Sequence, residues 1–160
     1  MNVIFLDVDG VLNNQRHILA LYELLGDKNF RRFRKFYGQT ILDYKCCELV
    51  KKLAQKKDAK IVLSSTWRLS DKHTKIVEDE LDMEIYGITP YLGKERGYEI
   101  KQYLKEHNEF NNYVIIDDDS DMLEEQMSHL CLVNREVGFT RRDYRKCVEI
   151  LKDGKNNDID

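Results

Sequence analysis

The sequence predicts an α/β fold in which a parallel sheet is covered by helices on both faces. Short apolar runs without alternation predict strands that are buried on both sides, and the segments between them repeat their apolar residues with helical spacing. In addition, several apolar runs end in aspartate or serine, at the sheet edge where ligands of such folds collect. With 160 residues, 42% of them hydrophobic, the chain can form one compact domain with its own core.

Strands and helices alternate along the chain. The predicted strands are VIFL (3–6), KIVLSS (60–65), YVII (113–116) and LCLV (130–133). Apolar spacing predicts one helix through Leu42, Cys46, Leu49, Val50 and Leu53, a second through Ile100, Tyr103 and Leu104, and a third through Met122, Leu123, Gln126 and Met127. Thr140 and Asp143 have the spacing of a capping box, which predicts a last helix with Tyr144, Cys147, Val148 and Leu151 facing inward.

Composition narrows the possible functions and locations. The net charge is only −3 although 34% of the residues are charged, so no bulk attraction to nucleic acid or to membranes is indicated, and a local patch remains possible. The four cysteines form no C-x-x-C pair, and we expect reduced thiols. Asp7 and Asp9 interrupt the first apolar run, which therefore does not resemble a signal peptide. We expect a cytoplasmic protein with no membrane partner.

Carboxylates follow two of the predicted strands. Side chains alternate along a strand, so Asp7 and Asp9 can point the same way, and Gly10 allows the chain to curl around them. The string DDDSD (117–121) adds acids after another strand. Each cluster alone can be a solvated turn, and the second can also be a helix start. Two acidic clusters at one sheet edge repel unless a cation lies between them, and all-oxygen ligands favour Mg²⁺.

Together these residues resemble the four motifs of the haloacid dehalogenase (HAD) superfamily. The motifs are DVDGV, a strand ending in serine, a lysine, and a strand ending in two aspartates, in that order. The strings IVLSSTWR, RGYEI, YVIIDDDSDM and GFTRRDYRKCVEIL resemble a narrower branch, the small HAD domains of RNA-repair-type proteins and of phage or bacterial phosphatases. The resemblance covers residues 2–13, 59–68, 88–122 and 130–151. It implies an HAD-like, Rossmann-like parallel sheet with a small helical insert after the first strand.

The resemblance also implies a phosphohydrolase and assigns roles residue by residue. Asp7 would be the nucleophile that attacks phosphorus and forms an aspartyl-phosphate. Asp9 would protonate the leaving oxygen and then accept a proton from the attacking water. Mg²⁺ would be held by Asp7, the backbone carbonyl of Asp9, and either Asp117 or Asp118, the second being preferred. Asp121 would orient water molecules on the metal.

The remaining site residues would contact the transferring phosphate or the rest of the substrate. Ser64 is preferred to Ser65 as the hydroxyl that binds the phosphoryl group, because it follows directly on the apolar run. Lys94 is the first candidate for the cation, and Arg96 is its rival because the narrower branch often shows only the R-G-x-E-I string. Substrate contacts are assigned to Gly10, Ser65, Arg68 and Arg96.

Arg68 and the preceding Trp67 allow two interpretations. Arg68 can clamp a substrate phosphate while Trp67 stacks on a base. Alternatively, Trp67 packs under the loop and Arg68 pairs with an acid.

The chain is predicted to form a single HAD-like domain over 1–153, with 14–40 as a cap or lid and 154–160 as a frayed polar tail. The insert contains NFRRFRKFYG, in which Phe30, Phe33 and Tyr37 share helical spacing. One interpretation is an amphipathic helix whose aromatic residues dock on the core. The other is a basic lid in which Arg31, Arg32, Arg34 and Lys35 meet the phosphates of a nucleotide or a polynucleotide end.

The function expected from these observations is a Mg²⁺-dependent phosphomonoesterase. Its partner would be a phosphorylated small molecule or a nucleic-acid end, and we favour nucleotides or terminal phosphates of nucleic acid. Two alternatives are a phosphatase for a small phosphometabolite and a non-catalytic module that binds phosphate or RNA ends.

Overall fold

The structure is a computed structural model that describes residues 1–37 and 42–152, with the backbone alone for 35–37. Its elements, in chain order, are β1 (Asn2–Leu6), α1 (Gln15–Tyr37), α2 (Tyr44–Lys57), β2 (Ala59–Leu63), a 3₁₀ helix (Thr66–Leu69), α3 (Asp71–Leu81), β3 (Gly87–Ile88), α4 (Arg96–Glu106), β4 (Asn112–Asp117), a second 3₁₀ helix (Glu124–His129), β5 (Leu130–Leu132) and α5 (Arg141–Ile150). The predicted tail, 154–160, lies outside the described residues.

The strands form one parallel sheet in the order β3-β2-β1-β4-β5. Leu6, the last residue of β1, lies level with Leu63 of β2 and with Ile116 of β4. The chain leaves β1 in one direction to build β2 and β3, and in the other to build β4 and β5. The order therefore reverses between β1 and β4, where open α/β sheets form a crevice for ligands.

Helices cover both faces of the sheet, as the sequence predicts. One face of β1, with Ile4 and Leu6, packs in a cluster that includes buried side chains of α2, α3 and α5. The other face, with Val3 and Phe5, packs in a second cluster that includes Ile100 of α4. All four of these β1 residues are fully buried, which explains why this strand is apolar throughout.

Two details of the predicted elements are corrected by the structure. The second predicted strand ends at Leu63, so both serines of KIVLSS follow the strand. The third predicted helix is instead a 3₁₀ helix, in which Gln126 is buried and Met127 is exposed. The Gln126 side chain accepts a hydrogen bond from the Leu123 amide and donates one to the Gly97 carbonyl, which fixes this short turn against the start of α4. The capping box of Thr140 and Asp143 is confirmed.

The insert after β1 is helical and bends sharply. Gly26 has φ 71° and ψ 165° inside α1, a conformation that glycine adopts without a steric penalty. The bend brings the rings of Tyr22 and Phe30 to 5.3 Å from each other, in an edge-to-face contact. Phe30 is buried, whereas the side chain of Tyr37 lies outside the described residues, so the docking of the aromatic residues on the core stays a prediction.

No helix in the described part of the chain combines the length and the apolarity that crossing a membrane requires.

Candidate active site

The candidate site lies where β1 and β4 end beside each other. The Asp7 amide donates to the Ile116 carbonyl at 3.0 Å, so the pairing of the two strands continues one residue past β1. This register places Asp7 next to Asp117, the last residue of β4. Both carboxylates are buried, because the strands that deliver them lie in the centre of the sheet.

Three carboxylates converge at this edge. Oxygen atoms of Asp7, Asp117 and Asp118 lie within 4.8 Å of one another. Asp118 is less buried than the other two, because it is the first residue beyond β4. The structure thus brings together the three aspartates that the sequence analysis considered as Mg²⁺ ligands, and their role in metal binding stays a prediction. Asp9 was assigned through its backbone carbonyl, and that assignment remains a prediction.

The crowding of these acids changes their ionisation. Burial, followed by repulsion from Asp117, raises the pKa of Asp7 to about 8. Burial also raises the pKa of Asp117 to about 6, although the Arg96 guanidinium opposes the shift. Without a further cation the site therefore retains a proton at neutral pH.

Arg96 is a basic side chain that reaches the two buried acids. Its Nη1 lies 2.9 Å from Asp7 Oδ1 and also binds Asp117. Burial lowers the pKa of Arg96, but the charges of Asp7 and Asp117 outweigh this and raise it. Lys94, the first candidate from the sequence, is exposed and lies over the Tyr98 ring, 5.6 Å from its centre. Of the two candidates, the structure brings Arg96 to the acids and leaves Lys94 outside, and the catalytic role of either residue stays a prediction.

Asp9 is exposed but firmly oriented. Asn13 Nδ2 donates to one of its carboxylate oxygens at 2.8 Å, and Trp67 Nε1 donates to the other at 3.1 Å. Trp67 is 7% exposed, so of its two interpretations the structure shows the packed one and not an open stacking surface. Sequence reasoning missed both donors. The contact of Trp67 to Asp9 depends on the tertiary fold, and that of Asn13 depends on a tight turn.

Gly10 is required by the close approach of two chain segments. It has φ +81°, and a Cβ atom at this position would lie 2.3 Å from Asp118 Oδ2. Its amide donates to the Asn13 side chain at 2.9 Å, which closes the turn after Asp9. The glycine therefore allows the acids of the β1 loop and of the β4 loop to meet.

The two serines after β2 have different environments. Ser65 accepts a hydrogen bond from the Trp67 amide and caps the first 3₁₀ helix. The Ser64 hydroxyl is fully buried and has no hydrogen-bond partner among the residues that the structure describes. A buried hydroxyl without a partner is costly, so of the two serines Ser64 is the one whose hydrogen-bonding capacity is unused among the described residues.

Arg68 is held by the protein itself. Its guanidinium donates to the backbone carbonyls of Ser64, Ser65 and Thr89, and it forms a 2.7 Å ion pair with Glu99. The pair is almost completely buried. Of the two sequence interpretations, the structure shows the pairing with an acid, and a role as a substrate clamp does not fit these contacts.

Two further residues surround the acids. The Arg96 amide donates to Asp121 Oδ2 at 3.2 Å, so Asp121 binds the first residue of α4. Its other oxygen, Oδ1, is buried without a partner in the described ranges. Arg135, which the sequence analysis did not single out, lies 3.3 Å from Asp118 and is 58% exposed. No local pattern marks it, because it reaches the site from the loop after β5.

The residues fit a magnesium ion. Mg²⁺ prefers hard oxygen ligands, usually one or two carboxylates together with water and substrate phosphates. The three carboxylates supply such oxygens, and a divalent cation would relieve the repulsion that raises the pKa of Asp7.

The fold and the site together define a domain of the HAD class. The chain belongs to the family described as "HAD domain in Swiss Army Knife RNA repair proteins", whose profile matches residues 3–144. No curated protein and no solved structure matches the chain.

Proposed function

We propose that the chain is a Mg²⁺-dependent phosphomonoesterase that acts on nucleotides or on the terminal phosphate of a nucleic acid. The observation that carries this proposal is the environment of Asp7. Its carboxylate lies at the sheet crevice beside one guanidinium and two further carboxylates. A buried nucleophile with a cation next to it suits attack on an anionic phosphate ester.

The reaction would proceed in two displacements. An Asp7 oxygen attacks phosphorus and forms the aspartyl-phosphate, while the ester P–O bond breaks and the leaving oxygen takes a proton from Asp9. Water then attacks the same phosphorus and gives a proton to Asp9, which releases inorganic phosphate and restores Asp7. Asn13 and Trp67 orient the Asp9 carboxylate for both transfers.

Other side chains would stabilise the charge on the transferring phosphoryl group. Arg96 is held next to Asp7 and can donate to a phosphoryl oxygen. The Ser64 hydroxyl, which lacks a partner, can donate to another. Arg68 positions Ser64 through the Ser64 carbonyl, which accepts from its Nη1 at 2.8 Å.

Asp7, Asp117 and Asp118 would hold the metal, with the Asp9 carbonyl as the ligand implied by the HAD resemblance. When bound, Mg²⁺ supplies positive charge that lowers the repulsion between the anionic nucleophile and the anionic substrate.

The family supports a nucleic-acid end as the substrate, because its description names RNA repair proteins. We also propose the reducing cytoplasm as the location, since all four cysteines are free and buried.

The test is phosphate release in the presence of Mg²⁺ from an aryl phosphate, nucleotides, sugar phosphates, and oligonucleotides with a 3′ or 5′ terminal phosphate. We expect wild type to act best on a nucleotide or an oligonucleotide, and Asp7→Asn to lose at least about 10³-fold in kcat, as expected on removal of a nucleophile. Asp58→Asn, at the exposed end of α2, is a matched control that should retain activity.

Two outcomes would contradict the proposal. Equal release by wild type and by Asp7→Asn would remove Asp7 as the nucleophile. A stable complex with an oligonucleotide end that is never hydrolysed would favour the binding-module alternative.

A further inference from the structure

A second concave region lies beside the candidate active site. Its volume is about 730 Å³, comparable with ordinary ligand pockets. It is lined by the start of α1, by α2 residues between Tyr44 and Lys52, and by the residues around the start of α5. We call it the α2–α5 cavity, and its lining includes Asn14, His17, Tyr44 and Phe139.

The lining of the α2–α5 cavity is rich in unpaired cations. Arg16, Lys45, Lys52 and Arg141 all line it, and all four are exposed. None of them has an ion-pair partner within the described ranges of the chain. Because the whole chain has a net charge of −3, this concentration of positive charge is a local property of the cavity.

Two carboxylates also line the α2–α5 cavity, and one of them is already bound. Asp43 caps α2 by accepting from the Lys45 amide at 3.0 Å, and it accepts from Asn14 Nδ2 at 2.9 Å. Glu48 is the other acid. With four cations against two carboxylates, the cavity favours an anion.

Two helices begin at this cavity, and the start of α2 adds to its positive potential. Tyr44 is the first residue of α2, and Arg141 is the first residue of α5. The α2 helix has no acidic residue in its first turn, whereas α5 carries Asp143 there. The partial positive charge at the start of α2 therefore adds to those of the side chains, and that of α5 is offset by Asp143.

The cavity also offers groups that suit a nucleotide. The Tyr44 ring is 67% exposed at the start of α2, where a base can stack on it. His17 Nε2 is buried and has no hydrogen-bond partner among the described residues. A phosphate oxygen is a suitable acceptor for it.

The α2–α5 cavity is connected to the catalytic loop by neighbouring residues. Asn13 binds Asp9, and the next residue, Asn14, lines the cavity. The Gln15 amide donates to the carbonyl of Arg135, whose side chain pairs with Asp118. One nucleic-acid strand can therefore run from the carboxylates across this loop into the cavity.

We infer that the α2–α5 cavity binds the phosphodiester backbone of the strand whose terminal phosphate is removed at Asp7. The inference rests on the proposed function and makes it more specific. The preferred substrate is a single strand of several nucleotides rather than a mononucleotide, because a strand has further phosphates that the cations of the cavity can bind.

The test compares two double variants made in an Asp7→Asn background, so that binding is measured without turnover. Lys45→Gln/Lys52→Gln removes charge from the cavity. Lys56→Gln/Lys105→Gln is the matched control, because both lysines are exposed and lie in the last turns of α2 and α4 at the opposite edge of the sheet. The probes are fluorescent single-stranded RNA and DNA of about ten nucleotides with a terminal phosphate, titrated at several salt concentrations.

We expect the cavity variant to bind about tenfold more weakly and to lose about 0.7 from the salt slope for each lost phosphate contact. The affinity of the control variant for the same strand should stay within about twofold of that of the parent protein. Lys45→Arg/Lys52→Arg keeps the charge and should restore binding, which separates lost contacts from misfolding. Equal weakening in the cavity and control variants, or none in either, would overturn the inference, and the RNA and DNA probes would identify the preferred strand.

A second measurement separates this inference from the proposed function. In the active background, the cavity substitutions should lower kcat/KM for the oligonucleotide relative to that for an aryl phosphate. If wild type releases phosphate from no substrate, the proposed function fails. The titrations with fluorescent RNA and DNA still decide whether the cavity binds a strand. A different outcome is that wild type is active while the cavity substitutions leave the ratio of kcat/KM for the oligonucleotide to kcat/KM for the aryl phosphate unchanged. In that case the cavity does not contribute to substrate recognition.

Discussion

At the scale of single residues, Arg96 holds two buried carboxylates in place. Its guanidinium binds both Asp7 and Asp117, whereas Lys94 lies outside over Tyr98. We expect Arg96→Gln to lower kcat by about 10²-fold or more, the usual effect of removing one donor to a developing phosphoryl or oxyanion charge. Lys94→Gln is the matched control and should change kcat by less than about threefold, within the range of exposed charges. Steady-state kinetics on an aryl phosphate would measure both changes in kcat. A larger loss of kcat in Lys94→Gln than in Arg96→Gln would show that Lys94 is the cation that stabilises the phosphoryl group.

Gly10 gives a second prediction at this scale. Gly10→Ala adds a Cβ 2.3 Å from Asp118 Oδ2, at a residue with φ +81°. Gly93→Ala is the matched control, since Gly93 also has positive φ, +64°, but no described residue lies within 4 Å of the added atom. Both changes should cost about 1–2 kcal/mol through backbone strain. Only Gly10→Ala should also weaken Mg²⁺ binding, which calorimetry on the two variants would measure. Equal Mg²⁺ affinities would show that Asp118 moves aside without consequence.

Part of the site can be predicted from the sequence because strand ends are local signals. Asp7, Asp117 and Ser64 follow apolar runs directly, and parallel pairing brings such ends to one edge. Whether Lys94 or Arg96 enters the site depends on the exact start of α4, which helical spacing alone does not determine. The sequence also left open whether Arg68 clamps a substrate or pairs with an acid. Its partner Glu99 lies 31 positions away, and only the packed fold brings the two together.

At the scale of elements, a buried ion pair joins the segment after β2 to α4. Arg68 belongs to the first 3₁₀ helix and Glu99 to α4, and both side chains are almost fully buried. Glu99 also accepts a hydrogen bond from the Leu92 amide at 2.9 Å, which fixes the loop that leads to Arg96. The pair therefore helps to place the cationic residue of the site.

Removing the charge of Glu99 should destabilise the protein strongly. We expect Glu99→Gln to cost about 3–5 kcal/mol, because it leaves the buried Arg68 without a counter-charge. Glu125→Gln breaks the exposed pair with Lys101, also on α4, and should cost at most about 1 kcal/mol. Chemical denaturation of both variants provides the comparison. Similar losses in the two variants would mean that the buried pair adds little to stability.

Elements with short or polar sequences were the ones that sequence reasoning missed. The strand β3 has two residues, and α3 carries only two buried residues, Val77 and Leu81. In the insert, helical spacing correctly predicted a helix, but it did not predict the bend at Gly26. Spacing shows which residues share a face and does not show what that face meets.

The insert gives a prediction about the lid. Arg31, Arg32 and Arg34 are exposed on α1, and the predicted contribution of the Lys35 side chain lies outside the described residues. Arg31 pairs with Asp27, which is four residues earlier and itself exposed. If the insert meets phosphates, neutralising Arg31, Arg32, Arg34 and Lys35 together should lower kcat/KM for oligonucleotides more than for an aryl phosphate, by about tenfold for several lost phosphate contacts. Equal losses on both substrates, measured side by side, would remove the lid role.

At the scale of the whole molecule, the fold concentrates its unfavourable charges at one edge of a stable sheet. The strands of the core are apolar and fully packed, and they hold Asp7 and Asp117 beside each other despite their repulsion. The free energy of unfolding of the metal-free protein therefore depends on pH. Because the pKa of Asp7 is raised from 3.8 to about 8, the folded protein holds a proton that the unfolded chain has released. Stability from this group is fully present below about pH 4 and is lost as the pH rises toward 8.

Magnesium should reverse this loss. The metal binds ionised carboxylates, so below about pH 8 it must displace the proton on the acid cluster. Mg²⁺ at about 100 times its Kd adds about 2.7 kcal/mol of stability, and because protons compete, a fixed concentration should raise the Tm more at about pH 8.5 than at about pH 6. Thermal melts with Mg²⁺ or with EDTA across this range measure the difference. Asp7→Asn carries no titrating group at this position and should lose most of the pH dependence. A Tm increase that is the same at every pH would show that the metal binds elsewhere on the protein.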